Sequence, residues 1–99
     1  MSFYQVTSSE LRAKAEEMRG LNARFKSEEE TLRGSEQNLK SMWEGEANEN
    51  FHTAFMHDAS AMDLFHQTVE AYIAALLVIA ERYEAAERKN ATIASNRSY

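Results

Sequence analysis

Apolar residues recur along this chain in two long helical patterns separated by a short break. In the first, Leu11, Met18, Phe25, Leu32 and Leu39 stand seven residues apart, with Ala15, Leu21 and Met42 on the flank. That spacing keeps one face of a helix apolar and predicts a helix over about 8–41. The seam is thin, because Glu28 and Ser35 occupy positions where a second apolar row would fall. In the second pattern Phe51, Phe55, Met62, Phe65, Val69, Tyr72, Leu76, Ile79, Tyr83 and Ala86 alternate at three and four residues, with Asp58 as a polar gap. This predicts a helix over about 47–89. Between Val69 and Ala80 the stripe widens, since Ile73, Leu77 and Val78 lie off the main seam. A stripe wider than one facing helix covers implies a second contact surface. Val69, Tyr72, Ile73, Leu76, Leu77, Ile79 and Ala80 are therefore assigned to a dimer face.

The ends of the patterns carry their own signals. Thr7 and Glu10 have the spacing of a reciprocal capping box, and Val6 and Leu11 that of a hydrophobic staple. Gly20 and Gly34 fall inside the first helix, where each costs about 1 kcal/mol relative to alanine. They are read as close-approach or bend points. Trp43-Glu44-Gly45 interrupts the two patterns with the only tryptophan and one of three glycines. A glycine lets the backbone reverse, and Trp43 is placed to cover the exposed tip. From Asn90 onward the residues are polar and poor helix formers, so 90–99 is expected to be a flexible tail.

The fold class is thus all-α: one antiparallel helix-turn-helix hairpin over residues 1–99. Two helices cannot enclose a core, so burial is expected to be completed by a second chain, giving a four-helix bundle. Folding at 43–45 pairs Leu39 with Phe51, Phe25 with the region of Met62 and Phe65, and Leu11 with Leu76 and Ile79. Tyr83 and everything after it then overhang helix 1. Tyr83 lies about 55–60 Å from the turn at 1.5 Å per residue, so Trp43 and Tyr83 of one chain cannot touch. In a dimer of antiparallel hairpins they would meet.

Composition narrows the function. The chain has no proline, and 43% of its residues are hydrophobic, as a foldable helical protein requires. A net charge of −5 argues against nucleic acid as a partner. Without cysteine there are no disulfides or thiolate metal sites. Met1-Ser2-Phe3-Tyr4-Gln5 has no basic segment followed by an apolar run, so no ordinary signal peptide is expected. Ala71 to Ala80 is about half the ~20 residues of a membrane span. By themselves these features read as a soluble cytoplasmic protein.

Chemistry has little foothold. Glu49 with His52 and Asp63 with His66 have the carboxylate–histidine spacing of di-iron bundles. With Phe51 and Phe65 in the inward positions, both pairs turn toward flank or solvent, and they stand about 21 Å apart. No metal and no cofactor are assigned. His57 reads as surface, and Glu28-Glu29-Glu30 as a solvated face. The sequons at Asn90 and Asn96 are read as chance matches. There is no activated nucleophile and no phosphate-cradling glycine loop, so no enzyme is expected.

Taken together, the length, the Trp-x-Gly turn between two amphipathic helices, and Tyr83-Glu84-Ala85-Ala86-Glu87 resemble the WXG-100 (ESAT-like) family. The last segment fits that family's Tyr-x-x-x-Asp/Glu signal. The resemblance spans essentially the whole chain. It implies a small protein secreted without a cleavable signal peptide by a bacterial type VII (ESX/Ess) system, exported as a folded dimer. It also implies that Tyr83 and Glu87 form a secretion signal read by a membrane-bound FtsK/SpoIIIE-type ATPase. The turn residues Trp43 and Gly45 would lie beside the partner's C-terminal signal. Apolar residues often follow the family's acidic residue by three and seven places; here those places hold Asn90 and Ala94, with Ile93 out of register. The wide face of helix 2 favours a homodimer over pairing with a paralogous Trp-x-Gly protein. The role after export and any action on membranes stay open. A cytoplasmic antiparallel coiled-coil adaptor and a metal-bridged helical bundle are the alternatives.

Overall fold

A computed structural model describes residues 6–96. Helix α1 (Ser8–Met42) and helix α2 (Glu46–Asn96) run antiparallel as a hairpin, with no strand among the described residues. Thr7 caps α1: its backbone is extended, and its hydroxyl accepts from the Glu10 amide at 3.1 Å. That is half of the capping box. Glu10 lies in the first turn and Lys40 in the last, each matching the helix dipole. The chain reverses through an extended Trp43 and then Gly45, whose φ of +123° lies in the region that L side chains avoid. The Gly45 carbonyl accepts from Asn48 N at 3.1 Å and Glu49 N at 3.4 Å, opening α2.

Helix α2 continues through Asn96, past the predicted end near residue 89. Neither Gly nor Pro occurs after Gly45, and extending an existing helix through Asn, Thr and Ser costs only tenths of a kcal/mol per residue. Residues 90–96 are thus helical rather than the flexible tail expected. Residues 97–99 of that tail, and residues 1–5 where a signal peptide was sought, lie outside the described residues.

The register holds the main surprise. On α1 the buried positions are Ser8, Ala15, Asn22, Glu29 and Glu36, a strict seven-residue row that is polar but for one alanine. Facing them on α2 are buried Ala59, Ile73 and Ala80, with half-buried His52 and His66 in the same row. The apolar seams anticipated as the hairpin core lie to one side. The predicted pairings remain: the Phe25 and Phe65 rings stand 5.3 Å apart, and Leu39 shares a groove with Phe51 and Phe55. Leu11 shares another with Leu76, and with Tyr72 in place of the expected Ile79. Yet Leu32, Leu39, Phe51, Phe65, Tyr72 and Ile79 all stay exposed.

The hairpin therefore keeps far more surface than a globular chain. It exposes 7921 Å², against about 5,700 Å² for a compact monomer of 11.3 kDa. Its extents are 84 × 25 × 20 Å, and its radius of gyration of 22.8 Å compares with about 13 Å for a compact domain. Helix α2 also contains an 18-residue stretch apolar enough, by length and composition, to cross a membrane, which the ten-residue count missed. Only 6% of that stretch is buried inside the hairpin.

Gly20 and Gly34 are not close-approach points: a Cβ built on either meets nothing within 4 Å. Gly20→Ala and Gly34→Ala should each stabilise the helix by about 1 kcal/mol, raising the thermal midpoint by several degrees. Gly45→Ala has equal space but the wrong backbone, and should lower it by about 1 kcal/mol or more. Thermal unfolding followed by circular dichroism checks all three.

Candidate functional site

The largest continuous feature is the open apolar face. Leu11, Met18, Phe25, Leu32 and Leu39 of α1 sit three residues beyond its inner row, and Phe55, Met62, Val69, Leu76 and Tyr83 of α2 stand likewise beyond theirs. Because three residues turn a helix by about 300°, both sets lean to one side of the plane joining the helices. Side chains from both helices form shallow grooves along it, one lined by Met18, Leu21, Phe25, Phe65 and Val69.

Of the residues assigned to a dimer face, Tyr72 (61% exposed) and Ile79 lie on this open side, with Val69 and Leu76 half-buried at its floor. Ile73 and Ala80 do not: both are buried against α1. The local widening of the stripe thus has another cause, since α2 must face α1 through Ile73 while also carrying the open side. Leu77 is half-buried next to that row, and Val78, five residues after Ile73, turns away from both.

At the tip, Trp43 is half-buried and packs against Phe51, with ring centroids 5.8 Å apart. This carries the apolar face to the end of the molecule. Asn48, which sequence reasoning passed over, ties the turn: its amide donates to the carbonyls of Lys40 (3.5 Å) and Trp43, two orphan acceptors at the end of α1.

At the other end, Tyr83 is 44% exposed. The overhang expected to begin there begins later. Arg12 pairs with Glu84, and Ser8 donates to both Glu87 oxygens, from its amide at 3.1 Å and its hydroxyl at 2.8 Å. Counting apolar partners ended α1 at Leu11, whereas its first turns reach further through polar side chains. Arg12 holds the Glu84 carboxyl below its ordinary range by a side-chain hydrogen bond, and its own guanidinium is raised in return.

Between the ends, the inner row is a polar ladder. Asn22 donates to the His66 carbonyl (3.1 Å) and to Glu70 (2.9 Å). Arg33 bridges Glu29 and Asp63 at 3.0 and 2.8 Å, and Lys26 reaches Asp63 at 3.2 Å. Asp63 is held below its ordinary range, first by hydrogen bonding with Glu29 and then by Lys26. Glu36 meets His52 Nδ1 at 2.5 Å. So His52 and His66 point inward and Phe51 and Phe65 outward, the reverse of the expected orientation. The cause is that the inner row follows Gly45 at multiples of seven, a register the hydrophobic pattern does not mark. Each histidine meets one carboxylate, and among the described residues no cluster of three or more such groups could hold a metal. His57 is on the surface.

Ser8, Asn22, Glu36 and Asn48 were all missed. The spacing of Ser8, Asn22 and Glu36 at multiples of seven is legible in the sequence, but polar residues in a buried row look no different there from polar residues in water.

Two comparisons locate this arrangement among known proteins. The hairpin is similar to crystal structures of the secreted protein EsxB from Bacillus anthracis str. Sterne. A selenomethionine form matches with a TM-score of 0.77 at 22% identity, covering 88% of this chain and 99% of that one. The wild-type form in space group P21 gives 0.74 at 23% identity, covering 84% and 89%. At that identity the likeness shows the fold. No curated relative matches the sequence. Residues 4–88 match the family model WXG100, described as proteins of 100 residues with WXG, and the Trp43-Glu44-Gly45 turn supplies its motif. The chain belongs to the WXG100 family.

Proposed function

We propose that this protein is a non-enzymatic substrate of a bacterial type VII (ESX/Ess) secretion system, made in the cytoplasm and secreted without a cleavable signal peptide. It is exported as a folded dimer, and acts as effector, co-secretion partner or part of the machine. One observation carries the reading: a single open apolar face runs the length of the hairpin, with Trp43 at one end and Tyr83 at the other. These ends are about 60 Å apart along α2, too far to meet within one chain. Two hairpins packed antiparallel through their open faces bring each Trp43 turn beside the other's Tyr83. The excess exposed area, on the order of 2,000 Å² per chain, matches what an obligate dimer buries. The family membership and the likeness to EsxB, itself a secreted protein, support export.

In this reading Tyr83 and Glu87, one turn apart, are the signal taken by an FtsK/SpoIIIE-type ATPase. Tyr83 is an exposed aromatic anchor, and Glu87 is a charge on its own side of the helix. Trp43 and Gly45 form the adjoining turn, and the partner is a second copy of the chain.

Export is tested by blotting culture supernatant. Tyr83→Ala and Glu87→Ala should each reduce secreted protein to background while the purified variants stay helical and dimeric. Normal secretion of both would overturn the assignment and favour an intracellular adaptor.

Sedimentation tests the assembly separately. At micromolar concentration the protein should run as a dimer. Tyr72→Glu or Ile79→Glu should weaken association by about 2–3 kcal/mol, roughly 30- to 150-fold in Kd. Val78→Glu, on the far side, should change it by less than about 0.5 kcal/mol. A monomeric wild type would contradict the proposal.

A further inference from the structure

The Glu87 carboxylate is not free in the hairpin. Both of its oxygens are taken by Ser8, one by the backbone amide and one by the hydroxyl. Ser8 is the first helical residue of α1 and is itself buried, at 7% exposure. Its amide is one of the donors that a helix N-terminus leaves without an internal partner, and it sits at the positive end of the helix dipole. Thr7 satisfies a different one of these donors, at Glu10. Glu87 is therefore a cap on α1 delivered from the other helix. One turn away, Arg12 grips Glu84 and holds α1 against the same stretch of α2. Tyr83, immediately before Glu84 in sequence, stays exposed.

Resting on the reading of Tyr83 and Glu87 as the export signal, we propose that the first turn of α1 is a clasp on that signal. In the free protein Ser8 occupies the acidic side chain that the ATPase takes, and recognition requires Ser8 to let go. Tyr83 is displayed throughout, while Glu87 becomes available only when the clasp opens. Ser8 is then a positioning residue that sets how readily the signal is read. A clasp closed about nine-tenths of the time divides the apparent affinity for the ATPase by about ten, because only the open fraction binds.

The geometry supplies a clean substitution. The first helical position is where proline is best tolerated, since the amide it lacks is not used by the helix. Thr7 already has the extended backbone, φ −93° and ψ 160°, that a residue before proline requires. Ser8→Pro thus removes both donors to Glu87 and keeps the helix start. Ser8→Ala removes only the hydroxyl, and Ser8→Thr keeps both donors.

Binding of each full-length variant to the purified secretion ATPase is measured by titration, with thermal unfolding alongside. Ser8→Pro should tighten binding about 3- to 10-fold, Ser8→Ala by less, and Ser8→Thr should match the wild type. Glu87→Ala should abolish binding. In unfolding, Ser8→Pro should lower the midpoint when Glu87 is present and leave it unmoved in the Glu87→Ala background. Unchanged or weaker binding by Ser8→Pro, with Glu87→Ala still inactive, overturns the clasp and leaves the export signal standing. Wild-type binding by Glu87→Ala removes the signal and the clasp together. Should Ser8→Pro not fold, Ser8→Ala is read by the same criteria.

Discussion

Glu29 and Glu36 stand where a helical hairpin would ordinarily place leucine; Lys26 and Arg33 of α1 pair with Glu29, and His52 of α2 meets Glu36. The seven-residue row they belong to is the surface on which α1 meets α2. A buried carboxylate without partners costs several kcal/mol, so the register that brings His52 to Glu36 is favoured, while Glu29 draws on Lys26 and Arg33 of its own helix. A shift of α2 along α1 would part Glu36 from His52 and break the bridges from Lys26 and Arg33 to Asp63. The polar ladder adds little net stability, yet it makes alternatives costly, including hairpins closed on the apolar seams.

Placing the polar row inside puts the apolar rows outside. Of the four apolar residues buried among the described residues, three are alanines. At about 0.8 kcal/mol per buried CH₂, they contribute little against the entropy of ordering two helices of 35 and 51 residues. The larger hydrophobic contribution is held in Phe25, Leu32, Leu39, Phe51, Phe65, Tyr72 and Ile79, and is released only when a second surface covers them. In the proposed dimer, folding and association are coupled for this reason. The same geometry separates Trp43 from Tyr83 within a chain and, in the proposed dimer, offers them to each other between chains.

The far end of the hairpin follows a different logic. Beyond Leu11 the contact passes to Arg12 and Ser8, which hold Glu84 and Glu87, so the residues resembling an export signal are also residues that cap and dock α1. In the proposed reading, shape and signal share side chains there, which makes the signal sensitive to whether the hairpin is properly closed.

The existence of two helices, the turn at Trp43-Glu44-Gly45 and the start at Thr7 were set by local chemistry: helical periodicity, a glycine that alone tolerates φ near +123°, and a hydroxyl cap. These depend on neighbours in the chain, so they could be read from it, as could the family motif. Which face of each helix turned inward could not. Hydropathy marks apolar positions as buried somewhere, without saying whether the covering surface belongs to the same chain or another. Glu29 in a buried ladder and Glu30 in water have the same letter. Only the packing of α1 on α2 put Ile73 and Ala80 inside, turned Phe51 and Phe65 out, and carried Ser8 to Glu87, because partners from 16 to 79 residues apart choose among registers that local sequence leaves nearly equivalent.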